Sequence, residues 1–261
     1  MATTTKSAPA KKAPPRHKTV APVQPGPGPF AGFTKQGLQF LRDLKKNQDR
    51  DWFRERKDIY EQFVRQPMEA LVLEASAACR KRGFPLYTKE KAPVMRVYRD
   101  IRFSPNKAPF NTHVGAGLRR TPGKEGFGEV YIHVSPESSF LAAGFWMPER
   151  PFVNAWRQSM DRDPKKFLAL LAHLKKHNFE LMCERPLVRL PRGFEAHQGT
   201  ELEQHFKLIS YVIHRPLPPS EYSSPKMLDS VVEFAFISRP LLEYGWALNH
   251  QPPRAPLAVE W

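Results

Sequence analysis

The sequence predicts a single α+β domain with an antiparallel sheet flanked by helices. Two observations predict it. Apolar residues recur at helical spacing before Gly83 and again after Phe152, and they alternate with a period of two in the stretch between. Helices, then strands, then helices is the segregated order of an α+β chain. A doubly wound parallel sheet would alternate strand with helix and carry a glycine-rich first turn, and neither is present.

Thr34 caps a first helix whose Leu38, Leu41 and Leu44 share one face. The polar turn Asn47 to Asp51 separates it from Trp52, Phe53, Ile59, Tyr60 and Phe63, again at helical spacing. Pro67 permits a kink or a fresh first turn. Met68, Leu71, Val72, Ala75 and Cys79 continue the stripe as far as Gly83, a helix stop. After Pro93, Val94, Val97, Tyr98 and Ile101 favour strand. Pro105 and Pro109 impose a loop, His113 to Leu118 returns as strand, and Gly123 to Gly128 turns. Val130, Ile132 and Val134 alternate with Tyr131 and His133, the pattern of a half-buried strand, and Phe140 to Trp146 is its partner. Residues 94 to 147 thus read as an antiparallel meander.

Helices resume at Phe152 to Met160 and at Asp163-Pro164, where a cap precedes a first-turn proline. The second should bury Phe167, Leu168, Leu171 and Leu174. Residues 179 to 194 read as irregular or strand, and Lys207 to His214 as strand. Ser224-Pro225 opens a last helix carrying Leu228, Val231, Val232, Ala235 and Phe236, which Pro240 bends or restarts.

The folded domain is expected over residues 30–248, with 249–261 as a C-terminal extension. Residues 1–29 hold seven prolines, no aromatic and a charge of +5, too little to offset the entropy of ordering, so a disordered tail is expected. It reads as a spacer or as a basic arm. Formal net charge is +15, so the remainder is basic without the tail. A basic protein associates weakly with nucleic acid whatever its job, so charge alone assigns no nucleic-acid function. Cys79 and Cys183 offer no disulfide framework and no zinc knuckle, which fits a reducing compartment. With no secretory core and no apolar run of about 18 residues, a cytoplasmic protein without a membrane partner is expected.

The candidate site is Val94 to Arg120. It gathers Arg96, Arg99, Arg102, Lys107, His113, Arg119 and Arg120 around a single acid, Asp100. On a strand, Arg96, Tyr98, Asp100 and Arg102 would share one face, with Arg99 on the other. Asp100 would claim Arg96 or Arg102, leaving a guanidinium for a partner. The planar fork of arginine suits phosphate or carboxylate. Arg96, Arg99, Arg102, Lys107 and Tyr98 are therefore the expected anion-binding residues for a small phosphorylated or carboxylated ligand. His113 and His133, on neighbouring strands, are the candidates for proton transfer should the pocket be catalytic. Two other readings stand beside this one. The arginines could instead pair with Glu55, Asp58 or Glu61 in a ligand-free interaction domain, or the basic body and tail could serve a nucleic-acid accessory role.

No other motif assigns a reaction. His173 and His177 have metal-ligand spacing, but lysines lie between them and no glutamate follows as in HExxH, so no metal is expected. Gly115-Ala116-Gly117 lacks the third glycine of a dinucleotide fingerprint, and neither a phosphate loop nor a GxSxG elbow occurs, so no cofactor is expected. Cys79 reads as an inert core thiol. Ala142, Ala143 and Gly144 would let a ligand or a helix approach the sheet closely.

Longer stretches carry a family resemblance. Asp51-Trp52-Phe53 with Lys57, VYRDIRFSPNKAPFNTH, YIHVSPESSFLAAGFWMPE and KLISYVIHRPL are similar to successive elements of the domain of unknown function 2461 family. The resemblance covers residues 30 to 248. It departs at Ser210, where the family has a basic residue before the aromatic. It implies a single intracellular α+β domain and implies no activity.

Overall fold

The computed structural model describes residues 28–88, 94–121 and 128–248. Most of the expected tail, the turn residues 123–127 and the extension 249–261 lie outside these residues. The chain opens with α1 (Lys35–Lys46), α2 (Arg50–Glu55), α3 (Lys57–Tyr60), a π-helical turn (Glu61–Arg65) and α4 (Gln66–Lys81). A three-stranded meander follows as β1 (Val114–Arg119), β2 (Glu129–Val134) and β3 (Phe140–Phe145). Then come α5 (Arg150–Arg162), α6 (Pro164–Lys176), the single turn α7 (Glu203–Phe206), β4 (Tyr211–Pro216), the single turn α8 (Pro219–Tyr222) and α9 (Lys226–Leu248).

Local chemistry places most of these elements. Thr34 Oγ1 accepts the Gly37 N–H and begins α1, and Leu38, Leu41 and Leu44 are all buried. Pro67 has no N–H and crowds the carbonyl one turn back, and the helix widens into its π turn just before it. At the end of α4, Gly83 adopts φ +79°, the Phe84 N–H reaches Cys79 O and the Gly83 N–H reaches Arg80 O. That pair of bonds is a Schellman stop. Asp163 caps α6 through the Lys166 N–H. Phe167, Leu170 and Leu174 are buried there, whereas Leu168 and Leu171 are half-buried, so the helix is rotated from the face expected. Pro240 does not restart α9, and the helix runs through it.

All four strands are antiparallel in the order β1-β2-β3-β4. The sheet is apolar on one side only. Val114, Ala116, Leu118, Val130, Ile132, Val134, Leu141, Ala143 and Ile213 are buried beneath α4 and α9, in one connected core. Trp156 of α5 ties the last strand to this layer, stacking on Tyr211 at 4.0 Å and packing on Phe145 and Tyr244. No helix among the described residues is long and apolar enough to cross a membrane.

Two strand expectations need correction. Residues 94 to 102 form no strand, only isolated bridges from Val94 to Ala116 and from Tyr98 to Phe110. The Asp100 carboxylate accepts the Arg102 N–H, a side-chain turn that takes the backbone out of a ladder. The late strand starts at Tyr211 rather than Lys207, because the buried Arg157 guanidinium takes the Phe206 and Leu208 carbonyls at 2.8 and 3.1 Å.

A Cβ at Gly83 would meet nothing within 4 Å, so its cost is purely conformational. Gly83→Ala should lower the unfolding free energy by about 1 kcal/mol in urea titration, with an unchanged slope.

Candidate functional site

Because the helices cover one face, the alternate residues of every strand point to the other. That open face carries His113, Gly115, Gly117 and Arg119 from the first strand and its lead-in, and Glu129, Tyr131 and His133 from β2. Phe140, Ala142 and Gly144 of β3 and Val212 and His214 of β4 complete it. Tyr131 leans over Gly115 and Glu129 over Gly117, an approach that any Cβ on either glycine would block. On the other side of Tyr131 the register places Ala142 between it and His214. Small residues therefore flank the large ones of β2, and Ala142 and Gly144 floor a trough between β2 and β4.

Four rings cross the sheet in a ladder. His113 and His133 stack at 4.2 Å, His133 and Phe140 at 4.5 Å, and Phe140 and His214 lie 4.6 Å apart. Tyr131 Oη is 3.5 Å from His133 Nδ1, at the long limit for a phenol donating to an imidazole. Burial pushes all three imidazoles below their ordinary pKa, and His133 falls to about 4 because His113 and His214 also disfavour its charge. Burial, then the Glu129 carboxylate, raises the Tyr131 phenol to about 12. Near neutral pH the face thus presents an uncharged His133 and a protonated phenol. Glu129 is claimed by Arg119 Nε at 2.6 Å, and no acid pairs with any imidazole of the ladder among the described residues.

The arginines of the candidate stretch behave differently from the histidines. Arg102 forks onto exposed Asp100 at 2.7 and 3.0 Å and lowers its carboxyl pKa. Arg99 holds the Ala108 carbonyl at 3.0 Å and Ser104 Oγ at 3.4 Å. Lys107 donates to the Ile101 carbonyl at 3.0 Å. The Tyr98 ring packs on Phe53 and Phe110, which fastens the loop to α2. Arg96 and Arg120 are exposed, and neither side chain has a hydrogen-bonded partner among the described residues. The acids Glu55 and Glu61 pair with Arg56 and Arg65, not with this stretch. The basic loop is thus a braced structure whose root borders the open face, since the Met95 N–H bonds to the Gly115 carbonyl. At its tip Phe103 is 94% exposed.

Sequence reasoning placed His113 and His133 side by side and missed the rest of the ladder. Glu129-Val-Tyr-Ile-His133 carried the signal, three chemical side chains at every second residue. For His214 the signal was the same alternation in Tyr211-Val-Ile-His, whose pairing partner cannot be read locally. His173 meets His177 at 4.9 Å but bonds to the Ile237 carbonyl. No group of three or more His, Cys, Asp or Glu is arranged to hold a metal among the described residues. Cys79 is buried, and burial raises its thiol to about 11.

Residues 36–244 match the family described as conserved hypothetical protein (DUF2461). The chain belongs to that family. The match spans α4, α9 as far as Tyr244 and every residue of the ring ladder. A search of curated proteins found no match, and a search of solved structures found none.

The ladder should be visible in stability. Folded His133 takes a proton near pH 4 and the unfolded side chain near 6.5, so the unfolded state binds more protons in that window. The stability held above pH 6.5 is therefore lost as pH falls toward 4. Urea unfolding at pH 7 and pH 5 should show the drop, and His133→Asn should shrink it. A pH-independent wild type would contradict the half-buried ladder.

Proposed function

We propose that the open face of the sheet binds a small carboxylated or phosphorylated molecule and takes up a proton with it. The observation that carries this reading is the set of three half-buried imidazoles on one face with no acid paired to any of them. Their low pKa values express a missing counter-charge. An anion in the trough would supply it, and binding would raise those pKa values back. Tyr131 offers a neutral donor beside them, and Arg96 is an exposed cation in the loop whose root borders the face.

His133 and His113 are the proton-transfer groups in this reading. A neutral imidazole held next to a phenol can accept a proton from a bound hydroxyl or acid and return it. The braced loop keeps its own arginines occupied, so Arg99, Arg102 and Lys107 shape the rim and Arg96 contacts the ligand.

Calorimetric titration with citrate and with a sugar phosphate checks this. Proton uptake requires the affinity to rise as pH falls from 7.5 to 5.5, approaching tenfold per pH unit for one proton. Buffers of different ionisation heat should give different apparent enthalpies. His133→Asn combined with His214→Asn should flatten the profile. Binding that is absent, or the same at both pH values, would remove the reading.

A further inference from the structure

A second cationic feature lies in the helical layer and uses none of the ladder. Three aromatic rings run side by side there, with Phe84 5.7 Å from Phe236 and 6.1 Å from Trp246. Each carries a guanidinium. Arg82 stands 4.0 Å over Phe236, Arg239 stands 5.1 Å from Phe84, and Arg120 stands 5.7 Å from Trp246. Three separate chain regions supply them, namely the turn after α4, the end of β1 and the second half of α9.

Two of these guanidiniums, Arg120 and Arg239, line an open cleft of about 470 Å³ with Phe84, Pro85, Trp246 and Glu243. That volume lies within the range of about 300 to 1,000 Å³ in which small-molecule sites fall. The one acid in the lining is Glu243, which binds Arg239 Nε at 2.7 Å and leaves the other edge of that guanidinium unused. Arg82 and Arg120 have no acid partner among the described residues. A guanidinium lying on a ring has its face satisfied, while its N–H donors point outward in the plane. Arg82 and Arg120 are held in position by stacking rather than by carboxylates. Their donor edges stay open to the planar or tetrahedral oxygens of an anion, and Phe84 and Trp246, both nearly inaccessible, offer little contact area of their own.

We infer that this cleft is a binding site for a small phosphate-bearing molecule, with Arg120 and Arg239 as the phosphate ligands and Arg82 as the adjoining cation. It is separate from the site proposed on the open face. Guanidiniums remain charged at every physiological pH, so the site itself takes up no proton on binding, unlike an imidazole site.

Titrating the full chain with inorganic pyrophosphate at pH 7.5 tests the assignment. Wild type should bind, and Arg120→Gln with Arg239→Gln should weaken binding by about tenfold or more. Arg42→Gln, at an exposed cation of α1 outside both sites, should bind as wild type does. The pair Arg120→Lys and Arg239→Lys keeps the charge, loses the planar fork and should still weaken binding several-fold, so a misfolded glutamine pair does not end the test. Absent binding, binding unchanged in both paired variants, or binding lost in Arg42→Gln would overturn the inference. So would a ten-nucleotide oligothymidylate that binds with a steep salt dependence while pyrophosphate does not.

Discussion

The structure depends on one face of one sheet being buried. Along β2, Val130, Ile132 and Val134 are driven against α9, and the pleat then forces Glu129, Tyr131 and His133 to the opposite side. The same constraint on β1 and β3 gives Ala116 and Ala143 to the core and Gly115, Gly117 and Ala142 to the open face. Burial of the first row is what fixes the second. A slip of one residue in any pairing would bring the imidazoles into the core and Ile132 into water, so register is specified by the apolar side and merely inherited by the chemical side.

The last rung of the ladder is secured from farther away. Arg157 sits on α5 with its guanidinium buried and no carboxylate bonded to it among the described residues, and burial pushes its pKa down. An isolated buried charge is costly, and here two backbone carbonyls offset part of that cost. Those carbonyls belong to Phe206 and Leu208, just ahead of β4. Holding them keeps the chain out of the ladder until Tyr211, whose ring then stacks on Trp156. The registration of Ala142 against His214 follows from that start. A helix on the far side of the core thus sets where the third histidine stands.

Much of this was legible in the sequence, and the failures have local causes. Thr34, Asp163 and Gly83 announced their helix ends because capping is decided within a few residues. β2 was legible because its alternation is unbroken. Val94 to Arg102 misled because β-branched residues and arginines look alike in a strand and in an extended loop. The deciding interaction there is a side-chain bond, Asp100 to the Arg102 N–H, which propensity does not register. The charge of the same stretch has a local use as well. Counting cations assumes that they face outward for a ligand, yet Arg99 and Lys107 spend their donors on Ala108, Ser104 and Ile101 within the loop. His214 was out of reach because its role depends on β4 joining β3, a pairing across about seventy residues of sequence.

The two cationic features differ in kind, and the difference follows from what holds each one. On the open face the imidazoles stack on one another and on Phe140, partial burial lowers all three pKa values, and repulsion from His113 and His214 lowers that of His133 further. In the function proposed above, an anion would restore their positive charge. In the helical layer, Arg82, Arg120 and Arg239 lie on Phe236, Trp246 and Phe84, and a guanidinium cannot relieve burial or repulsion by losing a proton. Their charge is permanent, and stacking only fixes its direction. One fold therefore carries a conditional cationic surface on its bare sheet and an unconditional one in its helical layer. The excess of +15 read from the sequence counts the second fully and the first not at all.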